Sequence, residues 1–440
     1  MTVRFVARPR ISGRANAETR QATTGAFFGA GRAGLWYDEC DSHICESQIG
    51  DHMTRPRWPE SPFPAAAVVT GADFADREDE IALLRQELRE GGRVFLLAYR
   101  RYGKSCLIHE TFRRLQAEDR LITVYVDLYR ATSEREFWEL FTNAVLSASR
   151  GPSQQAVEWV TSLFRFRPTF SVDPQTQMPT VTFDAARTPA ALSEVRNAAL
   201  ELPAVVARKR GARVVVALDE FQEIRTLDGP RLEKLMRGAF QAHRGVGYLF
   251  AGSKPHVLRR MAEEPDAPFY RFARLIELGP IPERAWTPYL VGRFRRGKIT
   301  VAADALTTID AVTGGIPYYV IRLCRLLWVR GLRSARLAAV DVQEAFEELV
   351  AEAGDLCSQT WDGLPLSQRR VLVALAEGRG HEVFSEAIRS AYEIGPSSTV
   401  ARSLDRLVEL GLVAREGGRT SRRYRIVDPL LAAWVRRPER

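Results

Sequence analysis

The sequence predicts an α/β protein. Its main unit is a parallel sheet covered by helices on both faces, followed by an all-helical region and a small C-terminal unit. Three observations carry this reading. The apolar runs 94–97, 121–126, 214–218 and 248–251 are continuous rather than alternating, as strands buried on both faces are. Segments with helical apolar spacing separate them, as crossovers between parallel strands require. Beyond about Pro282 the strand-like runs stop and helical periodicity continues alone.

The elements follow in chain order. Residues 1–64 lack periodic apolar structure, are rich in Arg, Gly, Ala and Thr, and end in the Pro-rich run Arg55-Pro-Arg-Trp-Pro-Glu-Ser-Pro-Phe-Pro64, which reads as a disordered extension. Cys40, His43, Cys45 and His52 within it do not have the spacing of a zinc finger, and no second Cys pair follows. Met53 offers an alternative start of translation. A core is expected over 65–285. Its first helix, 78–90, carries Ile81, Leu84 and Leu88 on one face; the run 94–97 is a strand and 105–115 a helix; strand 121–126 and helix 136–148 come next. The alternating stretch at about 163–184, with Asp173-Pro-Gln-Thr-Gln in its middle, reads as an inserted β-hairpin. Strands 214–218 and 248–251 complete the core. A helical lid is expected over 286–355. In 356–440, three helical segments precede Leu412-Val-Ala-Arg-Glu, Gly417-Gly418 and Tyr424-Arg-Ile-Val427; three helices and a ribbon make a winged helix.

Composition narrows the classes. A chain of 440 residues holds two or three domains. No apolar run approaches the roughly 20 residues that span a bilayer, and no basic segment followed by an apolar core marks a secretory signal, so a cytoplasmic protein without membrane contact is expected. The five cysteines form no disulfide framework, which fits reduced thiols. The net charge of +9 suggests an acidic partner. Only five of the 63 basic residues are lysine, however, and such an arginine excess also arises from nucleotide-composition bias.

One of those lysines stands in Ala98-Tyr-Arg-Arg-Tyr-Gly-Lys-Ser105, between strand 94–97 and the helix after it. A strand, a loop and Gly-Lys-Ser opening a helix make a phosphate-binding loop. Ala98 stands where the first glycine of that pattern belongs; its methyl is tolerated if φ is negative there and costs about 1 kcal/mol if it is positive. Residues 98–106 (Ala98, Tyr99, Arg100, Arg101, Tyr102, Gly103, Lys104, Ser105, Cys106) would wrap the phosphates. Gly103 allows close backbone approach, Lys104 reaches the β- and γ-phosphates, and Ser105 holds magnesium. About 115 residues on, Val214-Val-Val-Ala-Leu-Asp219-Glu220 is an apolar strand ending in two carboxylates. Asp219 would hold the magnesium water shell and Glu220 would polarise an attacking water. Taken alone, such a pair equally caps a following helix.

Phe74-Ala-Asp-Arg77-Glu78, the Arg-Arg-Tyr-Gly-Lys-Ser loop, Leu218-Asp-Glu-Phe-Gln222-Glu223, Ala251-Gly-Ser253-Lys, Pro268-Phe-Tyr-Arg271 and Gly314-Gly-Ile-Pro317-Tyr-Tyr occur in that order. The set, over roughly 68–437, resembles the archaeal-type ATPases of the STAND branch of the AAA+ P-loop superfamily. The resemblance implies a parallel-sheet AAA+ core with helical lid and winged helix, and binding of ATP with magnesium. It gives Arg77 the place of the adenine-side residue and Ser253 that of sensor 1, contacting γ-phosphate or water; a turn serine is the plain alternative. Gly315 and Pro317 resemble the Gly-x-Pro element that packs the lid on the base, where proline also suits a helix start. Arg271 is the candidate arginine finger, against a surface ion pair. A second-sensor arginine is missing from the lid, as is usual in STAND proteins.

In the C-terminal unit, Val400, Leu404, Leu407 and Leu410 form a buried stripe, and Thr399, Arg402, Ser403 and Arg406 the opposite, polar face that a recognition helix presents to DNA. Arg419, Arg422, Arg423 and Arg425 on the wing suit phosphates. Residues 361–440 nevertheless hold 14 Arg against 10 Asp plus Glu, so a protein contact or self-association stands beside DNA as the role of this face. Leu430, Leu431 and Trp434 are expected to pack the last helix onto the core. Three functions remain open: magnesium-dependent hydrolysis of ATP to ADP and phosphate, a slow nucleotide switch, and a DNA-binding regulator with a structural nucleotide.

Overall fold

The computed structural model describes residues 59–65, 68–117, 121–149, 169–172, 179–416 and 422–437. The zinc-ligand candidates, Met53, the hairpin turn and Arg419 lie outside them. Among the described residues, seven strands and seven α-helices precede the lid: α1 (Glu78–Arg89), β1 (Arg93–Ala98), α2 (Lys104–Gln116), β2 (Leu121–Asp127), α3 (Glu134–Ala148), β3 (Thr169–Val172), β4 (Pro179–Thr182), α4 (Pro189–Arg210), β5 (Arg213–Asp219), α5 (Ile224–Leu227), α6 (Gly229–Ala242), β6 (Val246–Gly252), α7 (Pro255–Glu263) and β7 (Arg274–Leu278). The main sheet is five-stranded and parallel in the order β2-β5-β6-β1-β7. β3 and β4 pair antiparallel as a separate hairpin, Thr169 opposite Thr182.

Alternate residues of each central strand feed opposite sides. Phe95, Leu97, Val216, Leu218 and Phe250 join the core beneath α3, α4 and α6. Val94, Leu96, Val215, Ala217, Leu249 and Ala251 join the core of α1 and α2, which runs on into the lid. This is why the runs read as continuously apolar. The strand absent from the sequence reading, β7, lies at the sheet edge, and Arg274 and Glu277 are exposed on it. A half-solvated edge strand breaks the continuous pattern that marks a buried one.

The helices α1, α4 and α6, each leading into a parallel strand, end at the strands' N-terminal edge, and arginines gather there. Arg213 donates to the carbonyl of Arg89 at the end of α1 (2.7 Å), and Arg93 to that of Phe240 in the last turn of α6 (2.6 Å). α4 ends in Arg208, Lys209 and Arg210. Cations at the negative ends of helix dipoles are stabilising, so part of the positive charge has an internal use.

The lid comprises α8 (Glu283–Arg295), α9 (Ala303–Thr313), α10 (Pro317–Ser334) and α11 (Ala339–Glu352), with a two-residue parallel pair, β8 (Thr300–Val301) and β9 (Arg336–Leu337). The expected disorder through residue 64 fails at its end. Phe63 is fully buried, its ring 4.8 Å from that of Phe294, because a single large aromatic finds a lid pocket. Arg293 binds the carbonyl of Pro62 (2.6 Å), Arg325 that of Phe63 (2.9 Å) and Trp328 that of Pro59 (3.2 Å). α12 (Gly354–Asp362), α13 (Leu366–Ala376), α14 (Glu386–Ala391), α15 (Ser397–Glu409), the antiparallel β10 (Val413–Glu416) and β11 (Arg423–Ile426), and α16 (Pro429–Val435) close the chain. α16 joins two cores: Leu430 enters the lid cluster, and Leu431 and Val435 enter the C-terminal one.

Candidate nucleotide site

The loop between β1 and α2 sits at the C-terminal edge of the sheet, beside the end of β5. Ala98 is the last residue of β1, still paired with Leu278, so its methyl meets no left-handed backbone. The left-handed positions are Gly103 (φ +82°) and Arg101 (φ +73°). The strain foreseen at Ala98 therefore falls on Arg101.

Lys104 and Ser105, in the first turn of α2, meet the end of β5. The Lys104 ammonium, buried, contacts Asp219 directly and Glu220 Oε1 at 3.0 Å. Burial pulls its pKa down, opposed chiefly by Glu220. Ser105 Oγ donates to Asp219 Oδ2 (3.0 Å), and the Tyr125 hydroxyl donates to the same oxygen (2.7 Å). Burial pushes the Tyr125 phenol up to about 12, so it stays a donor. Glu220 adopts φ +51°, which turns its carboxylate toward Ser253. Ser253 gives it Oγ (2.6 Å) and backbone N–H (3.2 Å), and Gln222 gives it an amide N–H. Burial works to raise the Glu220 pKa; Lys104, Ser253 and Gln222 outweigh it and hold the carboxyl below its ordinary range.

The other candidates make no hydrogen bond to Asp219 or Glu220 among the described residues. Arg77 is buried with its guanidinium on Glu80 (2.9 Å) and the Gly279 carbonyl (2.5 Å), where it clamps α1 to the end of β7. Arg271 is exposed, left-handed (φ +51°) and lies 5.1 Å from the Tyr270 ring, without a hydrogen bond to the carboxylates. Arg100 is exposed, and Cys106 Sγ accepts from Val69 N–H (3.4 Å). Pro317 opens α10 and faces Gly103; a Cβ at Gly103 would lie 3.7 Å from its Cγ. Gly315 (φ +65°) has its carbonyl bonded to Ile281 N–H (3.0 Å) and Trp286 Nε1 (3.1 Å), and a Cβ there would strike the Ile281 carbonyl at 2.2 Å.

In the C-terminal unit Arg402, Arg406, Arg422 and Arg423 are exposed, Arg406 paired with Glu409 at 2.9 Å. Ser403 is buried instead of lying on the polar face, and Leu410 is exposed instead of buried, because α15 ends at Glu409 and the chain turns away. Arg425 does not point to solvent. It reaches the Tyr102 hydroxyl and Glu416, with its guanidinium 5.9 Å from the Tyr102 ring.

Tyr125 and Gln222 were not among the residues expected at the site. Gln222 stands in the Asp-Glu-Phe-Gln string and was legible there; Tyr125 carries no local signal, since only the β2–β5 register brings it to Asp219. The residues fit a hydrated divalent cation and phosphates. A serine hydroxyl and a carboxylate form a hard oxygen set, a lysine stands beside them, and Gln222 Oε1 is buried without a donor, as an acceptor for water.

A family model described as a probable winged helix domain matches residues 356–437. No curated protein matches the chain. Among solved structures, a Walker-type ATPase of Pyrococcus abyssi is 19% identical with a TM-score of 0.59, over 86% of this chain and 100% of that one. The Aeropyrum pernix ORC2 protein, solved in ADPNP-ADP complexes, is 16% identical with a TM-score of 0.51, over 85% and 96%. At these identities the likeness shows the fold alone: a parallel-sheet α/β core continued by a helical region, with the winged helix of the family model at its end.

Proposed function

We propose that the chain is a magnesium-dependent ATP-binding protein of the STAND type that hydrolyses ATP to ADP and phosphate slowly enough to act as a switch. The observation that carries this is the convergence of Lys104, Ser105, Asp219, Glu220 and Ser253 at one sheet edge. The division into core 65–285, lid 286–355 and winged helix 356–440 belongs to the same proposal, as does a cytoplasmic setting. Among the described residues no helix is long and apolar enough to cross a membrane.

Ser105 and Asp219 would hold magnesium, which when bound neutralises phosphate charge. The backbone of 99–105 and Lys104 would receive the phosphates, with Pro317 against the base. Glu220 is kept ionised and is aimed by Ser253 and Gln222, so it can hold a water and accept its proton. Steady-state phosphate release should be measurable in the wild type and lost in Lys104→Ala. In Glu220→Gln it should fall by about 10²- to 10⁴-fold with ATP binding kept. Equal release from all three proteins would remove the reading.

A second reading, a DNA-binding regulator, rests on the exposed Arg402, Arg406, Arg422 and Arg423. It requires a salt-dependent DNA shift that weakens in Arg402→Ala/Arg406→Ala. No shift at low salt eliminates it.

A further inference from the structure

Asp219 is buried, and donors meet both of its oxygens. Lys104 and the Glu220 backbone N–H (2.8 Å) meet Oδ1, while Ser105 Oγ (3.0 Å) and the Tyr125 hydroxyl (2.7 Å) meet Oδ2. Two of these donors have a second use in the nucleotide reading: Lys104 toward phosphate and Ser105 toward the cation. The Glu220 N–H and the Tyr125 hydroxyl have none. They are the donors left to Asp219 in a filled site, one on each oxygen, and together they fix the place and the plane of the carboxylate.

Strand register brings Tyr125 there. β2 pairs with β5 so that Tyr125 lies opposite Ala217 and Asp127 opposite Asp219. The carboxylate is therefore two residues further along the sheet, roughly 6–7 Å. A phenol spans that rise; a serine or threonine hydroxyl does not. Asp127, directly across from Asp219, instead accepts from Tyr129 N–H (3.0 Å). The Tyr125 ring lies 4.5 Å from that of His109 in α2 and borders a cavity of about 340 Å³ that Gln116 and Thr123 also line. With open space beside it, the ring is aimed by its hydroxyl bond rather than by close packing alone.

We infer that Tyr125 is a positioning residue for the magnesium carboxylate: its hydroxyl holds Asp219 Oδ2 and so sets the affinity of the site for the divalent cation rather than for the nucleotide. A neutral donor orients a carboxylate without cancelling its charge, whereas a lysine in the same place would neutralise what a cation needs. Without the hydroxyl, Asp219 keeps the Glu220 N–H on one oxygen and is free to turn, and that freedom must be lost again when a cation binds. The inference rests on the nucleotide reading above and adds the residue that tunes its metal.

The test uses the full chain and ADPNP, titrated calorimetrically in magnesium and in EDTA. Tyr125→Phe keeps the ring against His109 and removes only the hydroxyl; His109→Ala removes the ring contact and keeps the hydroxyl. Magnesium should tighten ADPNP binding in wild type. In Tyr125→Phe that tightening should shrink at least about tenfold, with affinity in EDTA and far-ultraviolet circular dichroism unchanged, whereas His109→Ala should keep it. Magnesium titrated against phosphate release should show a half-saturating concentration raised by a similar factor in Tyr125→Phe, with turnover recovering at saturation. Lys104→Ala is titrated alongside. If wild type shows no Lys104-dependent binding, or magnesium does not tighten it, the nucleotide reading falls and the inference with it. If wild type shows both, the positioning role alone is overturned by any of three results: Tyr125→Phe keeps the full tightening, it loses affinity equally in magnesium and EDTA, or His109→Ala matches it.

Discussion

Gly252, the last residue of β6, shows how closely the carboxylate cluster is built. A Cβ there would lie 2.0 Å from Gln222 Oε1 and 2.8 Å from Leu258 Cδ1. Gly252→Ala must therefore push Gln222 aside and loosen the turn that delivers Ser253 to Glu220. Phosphate release is expected to drop about tenfold or more, and stability by roughly 1–3 kcal/mol; steady-state kinetics and urea unfolding check both. Glu110 is a second residue with a defined consequence. Its buried carboxylate accepts from Arg113 (2.7 Å), Arg114 (2.7 Å) and Gly71 N–H (2.8 Å), which lowers its pKa from 4.5 to about 2. A depressed carboxylate contributes stability fully above pH 4.5 and loses it as pH falls toward about 2. Glu110→Gln should lower stability at pH 7 by roughly 1–3 kcal/mol and flatten the loss between those two pH values; a flattening absent from parallel melts refutes the assignment. Sequence made Lys104, Asp219 and Glu220 legible because strand ends of a parallel sheet share one edge. Gln222 against Gly252, and Glu110 beneath Gly71, depend on tertiary approach that no local spacing encodes.

Among elements, the short segment before α1 matters more than its composition suggests. Phe63 is surrounded by Phe294 and Trp328, and three carbonyls of 59–63 are held by Arg293, Arg325 and Trp328. Phe63→Ala should cost about 3–5 kcal/mol, read as an earlier urea midpoint with an unchanged slope. A loss below 1 kcal/mol on the same ~5 kcal/mol scale shows that the segment is dispensable. Prolines and polar residues hid this anchor, because one buried aromatic makes no periodic signal. The central strands β1, β5 and β6 were legible for the opposite reason: burial on both faces leaves an unbroken apolar run, which the edge strand β7 lacks. The lid turn at Gly315 was legible as Gly-x-Pro, but the reason for its glycine, the Ile281 carbonyl, lies in another segment.

For the whole molecule, ligand linkage gives a direct expectation. Magnesium-ADP at 100 times its dissociation constant should stabilise the folded chain by about 2.7 kcal/mol, seen as a rise in melting temperature that Lys104→Ala lacks. An equal rise in both places the ligand elsewhere. Two of the three cores are continuous across the boundary between lid and winged helix through α16, so unfolding of the C-terminal unit alone would expose Leu430 and its neighbours. That same helix has a consequence for synthesis. Arg101 pairs with Asp428 at its start (2.8 Å), 327 residues away, and with the Tyr319 hydroxyl. A bacterial or eukaryotic ribosome adds roughly 5–20 residues per second. The loop between β1 and α2 therefore leaves the ribosome many seconds before its C-terminal partner exists. During that interval the sheet can form, but Arg101 has neither Asp428 nor, at first, Tyr319 to hold it. The nascent chain thus passes through a period in which its loop is folded without its closure, and any nucleotide it captures then is held by the core alone.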